Sequence, residues 1–366
     1  MKAPLLCALV LATATGVAQA EESSLSLYGV IDAGLINQRV TGPQGVRTSH
    51  TGMVSGGLTD TLFGVRGHED LGGGLAAKFQ FESMFNLARG ETSDADHFFN
   101  NAAWVGLASE NLGEIRLGRQ HTAAQQFASQ LEAASWVNMG MGSTFRASDN
   151  YQVKNAIGYL SPAWGGVSLG LTYSFDAAGD QIKGQSSPAV SAAVQYSQGP
   201  LLLVATWDRT RLTPALRPGA SNPQAVQLGA SYDFDVAKLS AAWSRQSHGY
   251  AGLNGGDPDD LGLGLGAADF ARGGRLDAWL LGATVPVGAQ GKVLAQWSLV
   301  QPDWNWGDGS RARNGQVATL GYVHSLSPRT TLYGMVGLAT RYSLEDQVVQ
   351  GQGTTRRVMV GLNHTF

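Results

Sequence analysis

The sequence predicts an all-β chain that closes into a transmembrane antiparallel up-and-down barrel of about sixteen strands. Three observations predict it: an export signal at the N-terminus, apolar residues at every second position in many short segments, and connections that alternate between short turns and long polar loops.

The export signal comes first. Lys2 is followed by an apolar run from Leu5 to Val17 and by Ala18-Gln19-Ala20, a small-x-small site. This order is that of a cleaved secretory signal, so residues 1–20 are expected to be removed between Ala20 and Glu21, leaving 21–366 as one barrel domain. The single cysteine, Cys7, lies inside the signal, and the mature chain must be held by pairing and packing instead of disulfides. The formal charge of −3 becomes −4 once Lys2 is lost, and no basic stripe suggests a nucleic-acid partner. After the signal no stretch approaches the roughly twenty apolar residues of a helical span, whereas a barrel strand needs about 9–11 residues with only alternate ones apolar. Forty-nine glycines fit many strands and turns.

Period two opens the mature chain. Leu25, Leu27, Ile31, Ala33 and Leu35 fall on one side, with Ser26, Tyr28 and Asp32 on the other. The pattern returns at Val167, Leu169, Leu171, Tyr173 and Phe175, at Leu239, Ala241 and Trp243, and at Val358, Val360, Leu362 and Phe366, the last set opposing Arg357, Asn363 and Thr365. Short turns are expected at 70–74, 110–113, 162–166, 198–200, 235–238, 288–292 and 327–330. Between them run longer polar connections at 38–57, 89–96, 121–152, 176–187, 211–222, 247–275, 302–313 and 343–353. Seven short turns interleaved with eight long loops give sixteen strands. A soluble β-sandwich would also alternate, but it would divide a chain of this length into several domains, and no composition break follows the signal. Trp104, Trp164, Trp279 and Trp297, near strand ends, suit the aromatic girdles of a membrane barrel.

Several segments are similar to the general trimeric porins of Gram-negative outer membranes. They are Ser26-Leu27-Tyr28-Gly29-Val30-Ile31-Asp32, the hairpin Phe63 to Leu75 followed by Phe79-Gln80-Phe81-Glu82-Ser83, Ala103-Trp104-Val105-Gly106-Leu107, Leu117-Gly118-Arg119-Gln120, Tyr159-Leu160-Ser161-Pro162 and the C-terminal Phe366. The resemblance implies an integral outer-membrane channel for passive diffusion of small hydrophilic solutes and ions, with no cofactor. It also implies a homotrimer joined through the first and last strands, contact with outer-membrane lipid and lipopolysaccharide, and a terminal strand ending in Phe366 that the assembly machinery reads. Its third extracellular loop, here 121–152 with the helix-prone run 123–134, is expected to fold into the lumen and to bring Glu132 and Asp149 towards a basic wall.

The wall departs from the family pattern. The resemblance turns Arg119 inward, although it shares a face with Ile115 and Leu117. Leu62, Asn101 and Gly158 stand where relatives carry arginine. The charged lumenal candidates are Asp32, Arg66, Lys78 and Glu82, with Arg146 and Lys154 near the end of the inserted loop. Charges roughly 4–8 Å apart across a narrow constriction are each worth on the order of 1–3 kcal/mol to a passing ion. Rings of such side chains set selectivity. Three neutral positions and a negative chain lead to an expected weak cation preference.

Other chemistries are weaker. Gly166-Val167-Ser168-Leu169-Gly170 has the spacing of a hydrolase nucleophile elbow, but Ser168 sits inside an alternating strand. Asp257-Pro258-Asp259-Asp260 lacks the spacing of a calcium loop, and the histidines form no zinc motif, so no metal is expected. The chain is read as no enzyme. A substrate-specific channel would show an aromatic track in the lumen. An outer-membrane hydrolase would use His50, His68, His97 or His121, and an adhesin would use its long loops without conductance.

Overall fold

The computed structural model describes residues 23–42, 47–134, 140, 144–145, 152–177, 186–211, 222–248, 250–251, 268–269, 274–303, 305, 311, 313–343 and 352–366. Sixteen antiparallel strands close on themselves. They are β1 (Ser24–Thr41), β2 in two pieces (Arg47–Ser55 and Leu62–Gly72), β3 (Leu75–Asn86), β4 (Ala102–Ser109), β5 (Gly113–His121), β6 (Gln152–Leu160), β7 (Val167–Ser174) and β8 (Ala189–Gln198). The second half comprises β9 (Leu201–Thr210), β10 (Gln224–Asp233), β11 (Lys238–Ser247), β12 (Arg275–Val287), β13 (Gly291–Pro302), β14 (Gly315–Ser327), β15 (Thr330–Ser343) and β16 (Gln352–Thr365). Each pairs with its neighbour in sequence, and β16 returns to β1 with Thr354–Thr365 opposite Val30–Thr41. Closure leaves no open sheet edge among the described strands, as hydrocarbon requires.

Alternation runs as the sequence predicts. Leu25, Leu27 and Leu35 of β1, Leu169 and Leu171 of β7, and Val358 and Val360 of β16 are exposed on the outer wall, while their odd-even partners are covered inside. Trp164, Trp279 and Trp297 also face outward, but Trp104 turns inward and is only 6% exposed, so it belongs to no girdle.

The first long connection differs from the expectation at 38–57. β1 continues to Thr41, and the chain re-enters the wall at Arg47–Ser55, paired residue for residue with Ala33–Thr41. Residues 47–52 of this stretch are polar or glycine on both faces, with apolar side chains only at Met53 and Val54, so it carries no period-two signal. Residues 56–61 then leave the ladder before β2 resumes at Leu62.

The third loop enters the barrel. It forms a single turn and a half of helix, α1 (Ala123–Ala128), capped by Thr122 Oγ1 accepting from Gln125 N–H, then a 3₁₀ turn Ser129–Leu131. Phe127, Leu131 and Phe145 pack on inward residues of β8 to β15, including Ala193, Val204, Ala242, Leu280, Val300 and Val317. Small residues make the seat. A methyl group on Gly282 would lie 2.6 Å from Ala133 Cβ, and one on Gly229 would collide with Leu131. A second inner cluster joins Ile36, Val54, Leu58, Leu294, Val323, Tyr333, Met335 and Met359.

Candidate functional site: the lumenal constriction

Backbone bonds fix the inserted segment to the far wall. Ala123 N–H donates to Thr172 Oγ1 (3.0 Å) and Ala124 N–H to Ser191 Oγ (2.9 Å). Ala133 and Ala134 N–H both donate to Gln296 Oε1 (3.1 and 3.3 Å), and Gln246 Nε2 donates to the Thr144 carbonyl at 2.9 Å. The segment thus lines β7 to β13, and the inner wall of β1 to β6 is left to face the opening.

That wall is charged. On β2 and β3 the inward row pairs Leu62 with Met84, Gly64 with Glu82, Arg66 with Gln80 and His68 with Lys78. Glu82 accepts from Tyr28 Oη (2.6 Å), Gln80 Nε2 (2.7 Å) and Asn101 Nδ2 (2.5 Å), so its carboxylate is fully engaged. Asn101 Oδ1 meets His121 and Gln152 in turn. Lys78 Nζ lies 3.0 Å from Glu114 Oε2, and Arg116 Nε lies 2.5 Å from Glu114 Oε1. Two guanidinium groups stack on inward aromatics, Arg66 over Tyr28 at 4.9 Å and Arg116 over Trp104 at 4.3 Å. Ser24, Ser26, Arg66, His68, Lys78 and Arg116 line one continuous hollow on this wall.

The predicted residues separate into groups. Arg66, Lys78, Glu82 and Asn101 share the inner wall with Gly158, and Leu62 lies on the same side, opposite Val30 and Met84. Asp32 belongs elsewhere. It is fully buried, accepting from Gly57, Leu58 and Thr59 N–H, Tyr333 Oη and Asn363 Nδ2, where residues 56–61 fold against β1. Arg119 is skipped in the β5–β6 register between Gly118 and Gln120, while across β4 it stands opposite Ala103, in the row of Phe81. Its Nε donates to the Asn100 carbonyl at 2.7 Å, which ties it to the base of the second loop. Glu132 lies on the inserted segment and accepts from Ala134 N–H at 3.1 Å. Asp149, Arg146, Ala20 and Glu21 lie outside the described residues.

Arg116 and Glu114 are lumenal residues that the sequence reading passed over, and Trp104, which it assigned to an aromatic girdle, joins them on the inner wall. Parity alone marks the first two, since they alternate with the outward Ile115 and Leu117. Arg116 is the cross-strand partner of Gly158, so a cation occupies the level at which Gly158 itself is neutral.

A closed sixteen-stranded barrel, apolar outside, charged inside and narrowed by its third loop, defines a channel protein of the outer membrane. The chain belongs to the Gram-negative porin family, whose profile matches residues 7–342. It is 31% identical over 399 residues to an outer membrane porin protein of Bordetella pertussis, covering all of both chains. It is 32% identical to outer membrane porin protein 32 of Delftia acidovorans over 386 residues, 99% of each. Among solved structures, the anion-selective porin from Comamonas acidovorans superposes with a TM-score of 0.73 at 28% identity, over 94% of this chain and 100% of that one. OmpT of Vibrio cholerae, at 13% identity and a TM-score of 0.63, shares the fold. The protein is an integral outer-membrane porin.

Proposed function

We propose that this porin is a general diffusion channel, without bond chemistry or cofactor, that passes small hydrophilic solutes and ions. It works as a homotrimer after cleavage between Ala20 and Glu21 and assembly through the strand ending in Phe366. One observation carries the reading: the third loop is fixed to the inner wall of β7 to β13, so solutes must pass between it and the charged wall of β1 to β6.

Ion preference follows from how the charges are engaged. Glu82 is held by three neutral donors and Glu114 by two cations, whereas Arg66 is exposed to the lumen and stacked on Tyr28. On this wall Arg66, Lys78 and Arg116 stand at the level of Glu82 and Glu114, while Asp70 and Glu110 lie towards the short turns of the same face and Glu132 on the facing loop. The reading is therefore a weak anion preference. It replaces the weak cation preference expected from Leu62, Asn101 and Gly158, which left Arg116 out of account. The relative from Comamonas acidovorans, described as anion-selective, supports the same sign. Planar-bilayer reversal potentials in a salt gradient test it. The wild type should favour anions modestly, and Arg116→Gln should move the potential towards cations; cation preference in the wild type would refute the assignment.

A further inference from the structure

Behind the first turn of the inserted loop, one row of the inner wall ends in a charge. Thr172 of β7, Ser191 of β8 and Asp208 of β9 are successive cross-strand partners. The first two accept the Ala123 and Ala124 N–H groups, and the next one along the helix, Gln125 N–H, turns back to Thr122 Oγ1. Asp208 therefore receives none of these three donors. It is only 1% exposed; the Ser191 hydroxyl donates to one carboxylate oxygen, and Oδ2 has no hydrogen-bond partner among the described residues. Asp208 borders a cavity of about 10 Å³, room for one water-sized particle. Thr122, Thr172, Ser191 and Thr210 supply the rest of its polar lining, and no cationic side chain lines it among the described residues.

These contacts restrict what the cavity can hold. A carboxylate sealed from water is costly unless a positive charge sits beside it. A proton on Oδ2 would neutralise it but would find no acceptor, exchanging a stranded acceptor for a stranded donor. A hard cation answers both needs, because oxygen is its ordinary ligand. Each hydroxyl carries two lone pairs, and the N–H bonds occupy one apiece on Thr172, Ser191 and Thr122. One carboxylate among neutral hydroxyls balances a single positive charge, which selects a monovalent ion over a divalent one.

We propose that Asp208, with Thr122, Thr172, Ser191 and Thr210, binds a sodium ion that fastens the start of the inserted loop to β7, β8 and β9. The site lies across the lumen from the charged wall of β1 to β6 and does not depend on the sign of the ion preference.

The test uses the purified protein in a nonionic detergent at about pH 8, where ordinary carboxylates are ionised. Melting is followed by circular dichroism in sodium chloride or in N-methylglucamine chloride of equal ionic strength. Sodium should raise the wild-type midpoint saturably, by about 3–5 °C. Asp208→Asn should show no sodium response and, without sodium, should melt above the wild type because the uncompensated charge is gone. Asp235→Asn, on a short turn, should behave as the wild type. A wild type indifferent to sodium would overturn the proposal, and so would an equal response in Asp208→Asn. Stabilisation by micromolar calcium with none by sodium would overturn the charge assignment, and stabilisation by acid alone would give the cavity to a proton. A sodium-indifferent wild type that loses stability in Arg146→Gln, with Asp208→Asn cancelling the loss, would overturn it by making Arg146, outside the described residues, the counter-charge. Should Asp208→Asn fail to fold, Thr210→Val should lose most of the sodium response, and retention of the full shift there would have the same overturning force.

Discussion

Asp32 illustrates what a single buried carboxylate requires. Five donors converge on it from three separate parts of the chain: residues 57–59, Tyr333 and Asn363. Asp32→Ala strands those donors in a dry site, and each unsatisfied group costs about 1–3 kcal/mol. The variant is expected to unfold at markedly lower denaturant or temperature, followed by heat-modifiable migration in gels, with ion preference unchanged. In the second loop, burial raises the Asp94 carboxyl, but the Asp96 N–H and the His97 ring more than reverse this and hold it below the usual carboxylate range. A group so lowered stabilises the native loop above its ordinary pKa and loses that contribution as pH falls through the lowered value. Protease sensitivity of this loop should therefore rise only below about pH 4, and Asp94→Asn should remove that dependence. Legibility at this scale follows parity. Arg66, Lys78, Glu82 and Arg116 are all placed by the period of two, whereas Arg119 sits where Gly118, at φ 132°, departs from regular strand geometry and the register skips a residue. Asp32 could be assigned to the inner face but not to a sealed network, because its donors come from residues more than 300 positions away as well as from nearby ones.

Elements were legible to the degree that membrane contact shaped them. Every short turn from 70–74 to 327–330 falls where glycine, proline, asparagine, aspartate or serine interrupts alternation, and the outward rows of β1, β7, β11 and β16 are those read from the sequence. The first piece of β2 was not legible, since above the apolar band neither face of a strand needs to be apolar. The helix expected over 123–134 stops at Ala128, with a 3₁₀ turn to Leu131, because the chain must open to present Ala133 and Ala134 N–H to Gln296. Docking at Gly282 leaves no room for a side chain. Gly282→Val should lift this part of the loop from the wall, and single-channel records are expected to show larger and noisier currents than the wild type. Quiet currents of unchanged size would show that the seat does not control the opening.

For the whole molecule, the ends of the chain are brought together. Phe366 N–H donates to Gly29 carbonyl oxygen (3.1 Å), Gly29 N–H donates back (3.3 Å), and a methyl group on Gly29 would lie 2.5 Å from the Phe366 ring. Gly29→Val should displace that ring and lower the yield of closed barrel on refolding, measured as the fraction resistant to SDS at room temperature. Sixteen strands and closure follow from the alternation of turn lengths, but the internal plug does not, because its contacts depend on which small residues face inward from strands still to come. Gln296 lies 163 positions after Ala133. The inserted segment is therefore anchored in two instalments: its first turn can fasten to Thr172 and Ser191 once the seventh and eighth staves stand, whereas its far end stays untethered until the thirteenth brings Gln296.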